Sequence, residues 1–200
     1  MSLYRRSVLV IGYGPVGRGI ADRARDLGAV VHVMDLDAVR LIEAQHQGYI
    51  PVSMEEGLAR CEIVVTATGV DGVLGKEQLQ QARPGTIFLN AGHSNREIDI
   101  DWLYSQPNRR MKDHVERFDL DDTHVFLLAK GSLLNLAGSS GAAGTDLFDF
   151  YTAVMLRGVS WMFDSGAEGV PPGLQPYPAE LEQEIAQFSL SLHAGKAADQ

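Results

Sequence analysis

Short apolar runs alternate with amphipathic segments along the first two thirds of the chain. Val8–Ile11, Val30–Met34, Glu62–Thr66, Thr86–Asn90 and His124–Ala129 are rich in β-branched and aromatic residues and are bounded by turn residues. That pattern predicts five short buried strands. Between the first two, Val16, Ile20, Ala24 and Leu27 recur at helical spacing, which predicts a helix from Val16 to Leu27. Ala38–Gln47, Met54–Ala59 and Lys76–Ala82 predict three more, the last stopped by Pro84 and Gly85. Val115, Phe118 and Leu120 suggest a short strand within Asp113–Leu120. Strand–helix alternation of this kind predicts an α/β fold built on a doubly wound parallel sheet.

The pattern changes after Lys130. Asn135 to Gly144 is rich in glycine, alanine and serine and predicts a loop. Asp146–Phe163 reads as a long helix whose apolar residues, among them Phe150, Tyr151, Met155, Val159 and Phe163, cover more than one stripe. Gly166–Pro178 is a proline- and glycine-containing connector, Pro178–Phe188 a final helix with acids in its first turns, and Ala194–Gln200 a frayed end. The expected organisation is a domain over residues 1–144 and a C-terminal helical extension over 145–200. The surplus of apolar residues on the extension predicts an interface.

The junction of the first strand and helix carries the chemistry. Gly12, Gly14 and Gly17 form G-x-G-x-x-G directly after Val8–Ile11, and Asp35 closes the second strand. The first glycine permits the tight turn, the second lets a pyrophosphate approach the backbone, and the third lets helix and strand pack closely. The helix then directs its free N–H groups at the phosphates. Asp35 stands where a carboxylate accepts from the adenosine ribose, which favours NAD and repels the 2′-phosphate of NADP. Arg40, five residues on, could attract that phosphate but reads better as a solvated helix residue. With strand, glycines, helix, strand and acid all in order, the segment predicts a Rossmann-type NAD-binding fold.

Bulk composition narrows the partners. The net charge of −9 disfavours nucleic acid and anionic membrane surfaces. Arg5 and Arg6 before SVLVIGYG superficially resemble a signal peptide, but the apolar run is brief and ends in the glycine turn. With one cysteine, Cys61, no disulfide framework is possible, so a cytoplasmic setting is expected, with Cys61 as a small buried hydrophobe. The histidines at 32, 46, 114, 124 and 193 show no metal-ligand spacing, and no metal is expected.

Several blocks together resemble the NAD-binding domain of S-adenosylhomocysteine hydrolase. They are GYGPVGRG at Gly12–Gly19, MDLDAVR at Met34–Arg40, EEGLARCEIVVTATG at Glu55–Gly69, LNAGHSNREIDIDWL at Leu89–Leu103 and KGSLLNLA at Lys130–Ala137. The resemblance implies that Gly12, Gly14, Val16 and Gly17 hold the pyrophosphate and that Asp35 replaces the family's usual glutamate on the ribose. It places Thr66, Thr68 and Gly69 along the adenine and nicotinamide-ribose side. Gly92, His93 and Asn135 would meet the nicotinamide end, with His93 facing the substrate as the catalytic residue.

The departures from that family bear on activity. Its substrate domain precedes this one, whereas here the glycine loop begins at Gly12. Gly141, Ala142 and Ala143 stand where the family has a glycine-histidine-proline segment, Pro15 replaces its usual aspartate, and its C-terminal lysine and tyrosine have no clear counterpart. Complete hydrolase activity from this chain alone is therefore not expected. The favoured expectation is an NAD-dependent oxidoreductase component acting on a secondary alcohol of a small molecule, completed by a dimer mate or by a separate substrate-domain-like chain. The alternative is a non-catalytic NAD(H)-binding regulatory or scaffold module. A relative that has lost cofactor binding is disfavoured, because the glycine loop, Asp35 and His93 are all present.

Overall fold

A computed structural model describes residues 2–133, 145–166 and 168–197. The chain forms two compact units, Met1–Ser140 and Gly141–Gln200. The first contains strands β1 (Ser7–Ile11), β2 (Val30–Met34), β3 (Ile50–Pro51), β4 (Ile63–Thr66), β5 (Thr86–Asn90), β6 (Asn108–Lys112), β7 (Val115–Leu120) and β8 (Thr123–Leu128). Between them run helices α1 (Pro15–Asp26), α2 (Ala38–His46), α3 (Met54–Arg60), α4 (Lys76–Gln81) and α5 (Ile100–Tyr104). All eight strands join one sheet in the order β3-β2-β1-β4-β5-β8-β7-β6.

Alternation along each strand builds two cores. Val8 and Val10 of β1 turn to one face with Val31, Val33, Ile63 and Val65, beneath Ala21 and Ala24 of α1 and Ala44 of α2. Leu9 and Ile11 turn to the other with Val64, Phe88 and Leu127, beneath Leu58 of α3, Leu79 of α4 and Leu103 of α5. Helices therefore change sides between β1 and β4, two neighbouring parallel strands. Beyond their carboxyl ends lies the crevice where open α/β sheets bind ligands. Local signals fix the helix starts: Asp37 caps α2 by accepting from the Val39 N–H, and Ser53 with Glu56 closes a capping box on α3.

The five predicted strands are present and mutually parallel where they pair. The sheet is not parallel throughout, because β7 runs antiparallel to both β8 and β6. Sequence periodicity does not announce β3, β6 or α5. β6 is exposed along its whole length, so burial writes no alternation into NRRMK; its Arg109, Arg110 and Lys112 instead blunt a sheet edge. On the α1 face, Ile63, Val65, Ile87, Leu89 and Phe126 line an apolar groove of about 830 Å³.

The second unit is a helical pair. α6 (Thr145–Trp161) ends in a wider turn over Met162–Gly166, and α7 (Ala179–Ala197) continues beyond the predicted end at Phe188 into the stretch expected to fray. Tyr177 Oη donates to the Val154 carbonyl at 2.8 Å, and Arg157 pairs with Glu184 at 3.4 Å. Gly158 makes room for the Tyr177 ring, since a Cβ there would lie 2.6 Å from it. Tyr151, Met155, Leu156 and Phe163 are exposed. Among the described residues no helix is long and apolar enough to cross a membrane.

Candidate dinucleotide site

The glycine turn is wedged between the ends of β2 and β4. The Gly12 N–H donates to the Met34 carbonyl at 2.8 Å, and the Ala67 N–H to the Ile11 carbonyl at 2.8 Å. Gly12 has φ +93, and a Cβ on it would lie 2.8 Å from the Ala67 oxygen, so only glycine fits. A Cβ on Gly17 would fall 1.8 Å from the Gly12 carbonyl oxygen, so this glycine sets how closely α1 crosses β1. Gly14 differs. It is the N-cap of α1, makes no side-chain cap, and a Cβ there would approach only Arg40, at 3.9 Å. Its empty side faces the cleft. No acid occupies the first turn of α1, so the positive helix end is left for an anion.

Asp35, at the end of β2, is welded to this turn. One carboxylate oxygen accepts from the Tyr13 N–H at 2.6 Å, and the other from the Asp37 N–H at 2.9 Å. Arg40 adds an ion pair at 3.5 Å. Burial pushes the Asp35 carboxyl upward, but the two N–H donors and the Arg40 guanidinium outweigh it and leave the group below the ordinary value of 3.8. Arg40 is the exposed helix residue expected from sequence, and it also lines the cleft and pairs with Asp37 at 3.7 Å.

At the opposite end, the loops after β4 and β5 face each other. Thr68, Gly69, Gly92 and the exposed His93 line the cleft, as do Gly12, Gly14, Val16 and Asp35, around a common volume of about 910 Å³. Thr66 and Gly17 are buried and do not line it. Thr66 donates its hydroxyl to Asn90 Oδ1 at 3.2 Å and so acts beneath the site. Asn90 Oδ1 also accepts from the Gly92 N–H at 2.8 Å, while Nδ2 donates to the Gly131 carbonyl at 3.0 Å and to that of Ser94. A single satisfied amide thus ties the ends of β4, β5 and β8 together. His93 makes no hydrogen bond among the described residues. Asn135 lies outside them, as do Gly141, Ala142 and Ala143.

Residue-by-residue reading missed Asn90 and Glu97 as site residues. Glu97 is fully buried and accepts from the Thr68 N–H at 3.1 Å, the Thr68 hydroxyl at 2.8 Å and the Gly69 N–H at 2.7 Å. No local signal marks it, since Glu97 stands in the polar run SNREIDID, two residues before the Asp99 cap of α5.

The cradle suits a dinucleotide. Two glycines hold the turn where no Cβ fits, a third opens it to the cleft, and the Asp35 carboxylate is bonded to the same turn through the Tyr13 N–H. NAD would lie with its adenosine ribose on Asp35, its pyrophosphate over Gly14 and α1, and its nicotinamide half between the Thr68–Gly69 and Gly92–His93 loops.

Comparison with known proteins agrees. An adenosylhomocysteinase from Archaeoglobus fulgidus is 41% identical over 185 residues, covering 92% of this chain and 45% of that protein. An S-inosyl-L-homocysteine hydrolase from Methanosarcina mazei is 34% identical over 184 residues, covering 90% of this chain and 45% of that protein. The chain thus spans less than half the length of these relatives. Among solved structures, the A chain of dipicolinate synthase from Bacillus subtilis superposes with a TM-score of 0.53 at 18% identity, over 78% of this chain and 47% of that one, a likeness of fold. Residues 2–141 match the family described as S-adenosyl-L-homocysteine hydrolase, NAD binding domain. The chain belongs to that family, and its cofactor is NAD.

Proposed function

We propose that this chain is the NAD-holding component of an adenosylhomocysteinase-like oxidoreductase acting on a secondary alcohol of a small, nucleoside-like molecule. The observation that carries the reading is the continuity of one cleft from Asp35, past Gly14, to His93. Bound NAD supplies a hydride acceptor. Asp35 and the glycine turn bind and orient it, and the buried Thr66–Asn90 bond keeps the far rim in place. His93, exposed at that rim, takes the hydroxyl proton in this reading as the carbinol carbon is oxidised and returns it in the reverse direction.

A second polypeptide completes the site in this reading, either a dimer mate or a substrate-domain-like chain. The second unit supports it, since it exposes Tyr151, Met155, Leu156 and Phe163. A cytoplasmic setting fits the lone, buried Cys61. The alternative, a non-catalytic NAD(H)-binding module, draws support from His93, which has among the described residues no orienting hydrogen bond of the kind that general bases commonly have.

Calorimetry with oxidised and reduced coenzyme, followed by turnover assays of His93→Ala on nucleoside-like alcohols, tests the proposal. The expected result is retained NAD binding with turnover reduced at least ~100-fold. Unchanged turnover would remove His93 from the mechanism, and absence of heat with either coenzyme would overturn the reading. A clean monomer by size-exclusion chromatography at micromolar concentration would count against the dimer.

A further inference from the structure

Buried carboxylates are ordinarily matched by a cation, because an unpaired charge away from water is costly. Asp35 obeys this rule through Arg40. Glu97 does not. It is fully buried, its three donors are two backbone N–H groups and one hydroxyl, and no Lys, Arg or His pairs with it among the described residues. Residues 134–144, which follow β8 in the chain, contain no cationic side chain either.

The position of this unmatched charge is well defined. A Cβ placed on Gly92 would lie 1.5 Å from Glu97 Oε1, so the carboxylate sits directly behind the Gly92 wall of the cleft. Both loops that flank the nicotinamide half are involved, since Thr68 and Gly69 donate to Glu97 from one side while Gly92 covers it from the other. Glycine at 92 is required for that approach and leaves a single backbone layer between the carboxylate and the cleft. A cation lying against Gly92 would therefore feel Glu97 at short range through a low-dielectric wall.

We infer that Glu97 biases the site toward the oxidised coenzyme, by setting a fixed negative charge behind the place where the positively charged nicotinamide ring of NAD+ lies. The inference rests on the NAD reading above and names a residue that poises the bound redox couple. Glu97 touches neither coenzyme nor substrate. It is a positioning residue with an electrostatic effect. The ring of NADH is neutral, so the charge favours one redox form over the other, whereas a purely architectural role would affect both alike.

Titration calorimetry of the full chain with NAD+ and with NADH tests this directly. Wild type is expected to bind NAD+ more tightly than NADH, and Glu97→Gln to lower the ratio of the two affinities about tenfold. Thr68→Val, which removes one donor but keeps the charge, is expected to lower both affinities together and leave their ratio unchanged. An unchanged ratio in Glu97→Gln, with both coenzymes still bound, would overturn the inference and leave the NAD reading intact. A tenfold fall in that ratio in Thr68→Val as well would overturn it too. Should Glu97→Gln fail to fold, wild type alone still decides, because a preference for NADH contradicts the inference. Binding of neither coenzyme to folded wild type would remove the NAD reading and this inference with it.

Discussion

The two ends of the cleft each hold a carboxylate beside a glycine, and they solve the problem of burial in opposite ways. At the ribose end, Asp35 keeps a cation, Arg40, and neighbours Gly14, whose missing side chain leaves open space toward the ligand. At the nicotinamide end, Glu97 has only neutral donors, and the missing side chain of Gly92 is filled by Glu97 itself. One glycine is absent bulk for the coenzyme; the other is absent bulk for the protein. The first should therefore matter to binding alone, and the second to folding as well.

Gly92→Ala is the severest way to test that contrast. A methyl group 1.5 Å from Glu97 Oε1 must displace a buried carboxylate from its donors, and each donor left unsatisfied costs about 1–3 kcal/mol. Denaturant titration is expected to show a loss of about 3 kcal/mol or more. A loss below about 1 kcal/mol would mean that Glu97 can relax elsewhere and that the wall is not rigid.

Asp35→Asn comes next. The amide can accept from either the Tyr13 or the Asp37 N–H but presents a donor to the other, for an expected loss of about 1–3 kcal/mol. The pH dependence has a definite sign. The Asp35 carboxyl is held below its ordinary 3.8, so its contribution is fully present above that value and is lost as pH falls through the depressed folded value. Wild type should lose part of its stability there, and Asp35→Asn should lack that part of the acid limb. Identical acid limbs in urea midpoints would show that the carboxylate is not engaged as described.

Gly14→Ala should separate the two ends by doing little to the fold. Gly14 has φ −77, which alanine adopts freely, and the nearest atom to the new methyl is on the flexible Arg40 at 3.9 Å. Stability should stay within about 0.5 kcal/mol, while NAD affinity falls at least tenfold because the methyl occupies the pyrophosphate approach. Equal affinity would place the diphosphate elsewhere.

The same contrast explains which parts of the molecule can be read from its residues. Gly12, Gly14, Gly17 and Asp35 lie within one strand–helix–strand unit, where chain connectivity alone fixes their geometry, so local spacing was enough. Thr66, Asn90, Gly92 and Glu97 come from separate segments, and only the sheet order β4-β5-β8 brings them together. Thr66, expected along the site, is buried and does not line the cleft, and nothing local marks Glu97. The inner strands announced themselves through burial on both faces, whereas β6 did not, being exposed throughout and defined by its pairing to β7.

Arg40→Ala carries the smallest expected effect and asks whether the cation at the ribose end is structural or selective. Its side chain is 45% exposed, so its pairs with Asp35 and Asp37 are screened by solvent, and their joint contribution to stability should stay below about 1 kcal/mol. Removing it lets the Asp35 carboxyl rise toward 3.8, so the part of the stability that is lost in acid should be smaller than in wild type. Because both acids already hold the guanidinium, it is not free to receive a 2′-phosphate, and the preference for NAD over NADP should survive the substitution. A fall in NADP affinity much larger than the fall in NAD affinity would show instead that Arg40 leaves Asp35 to meet a phosphate. The ribose end would then discriminate by exchanging ion-pair partners and not by repulsion.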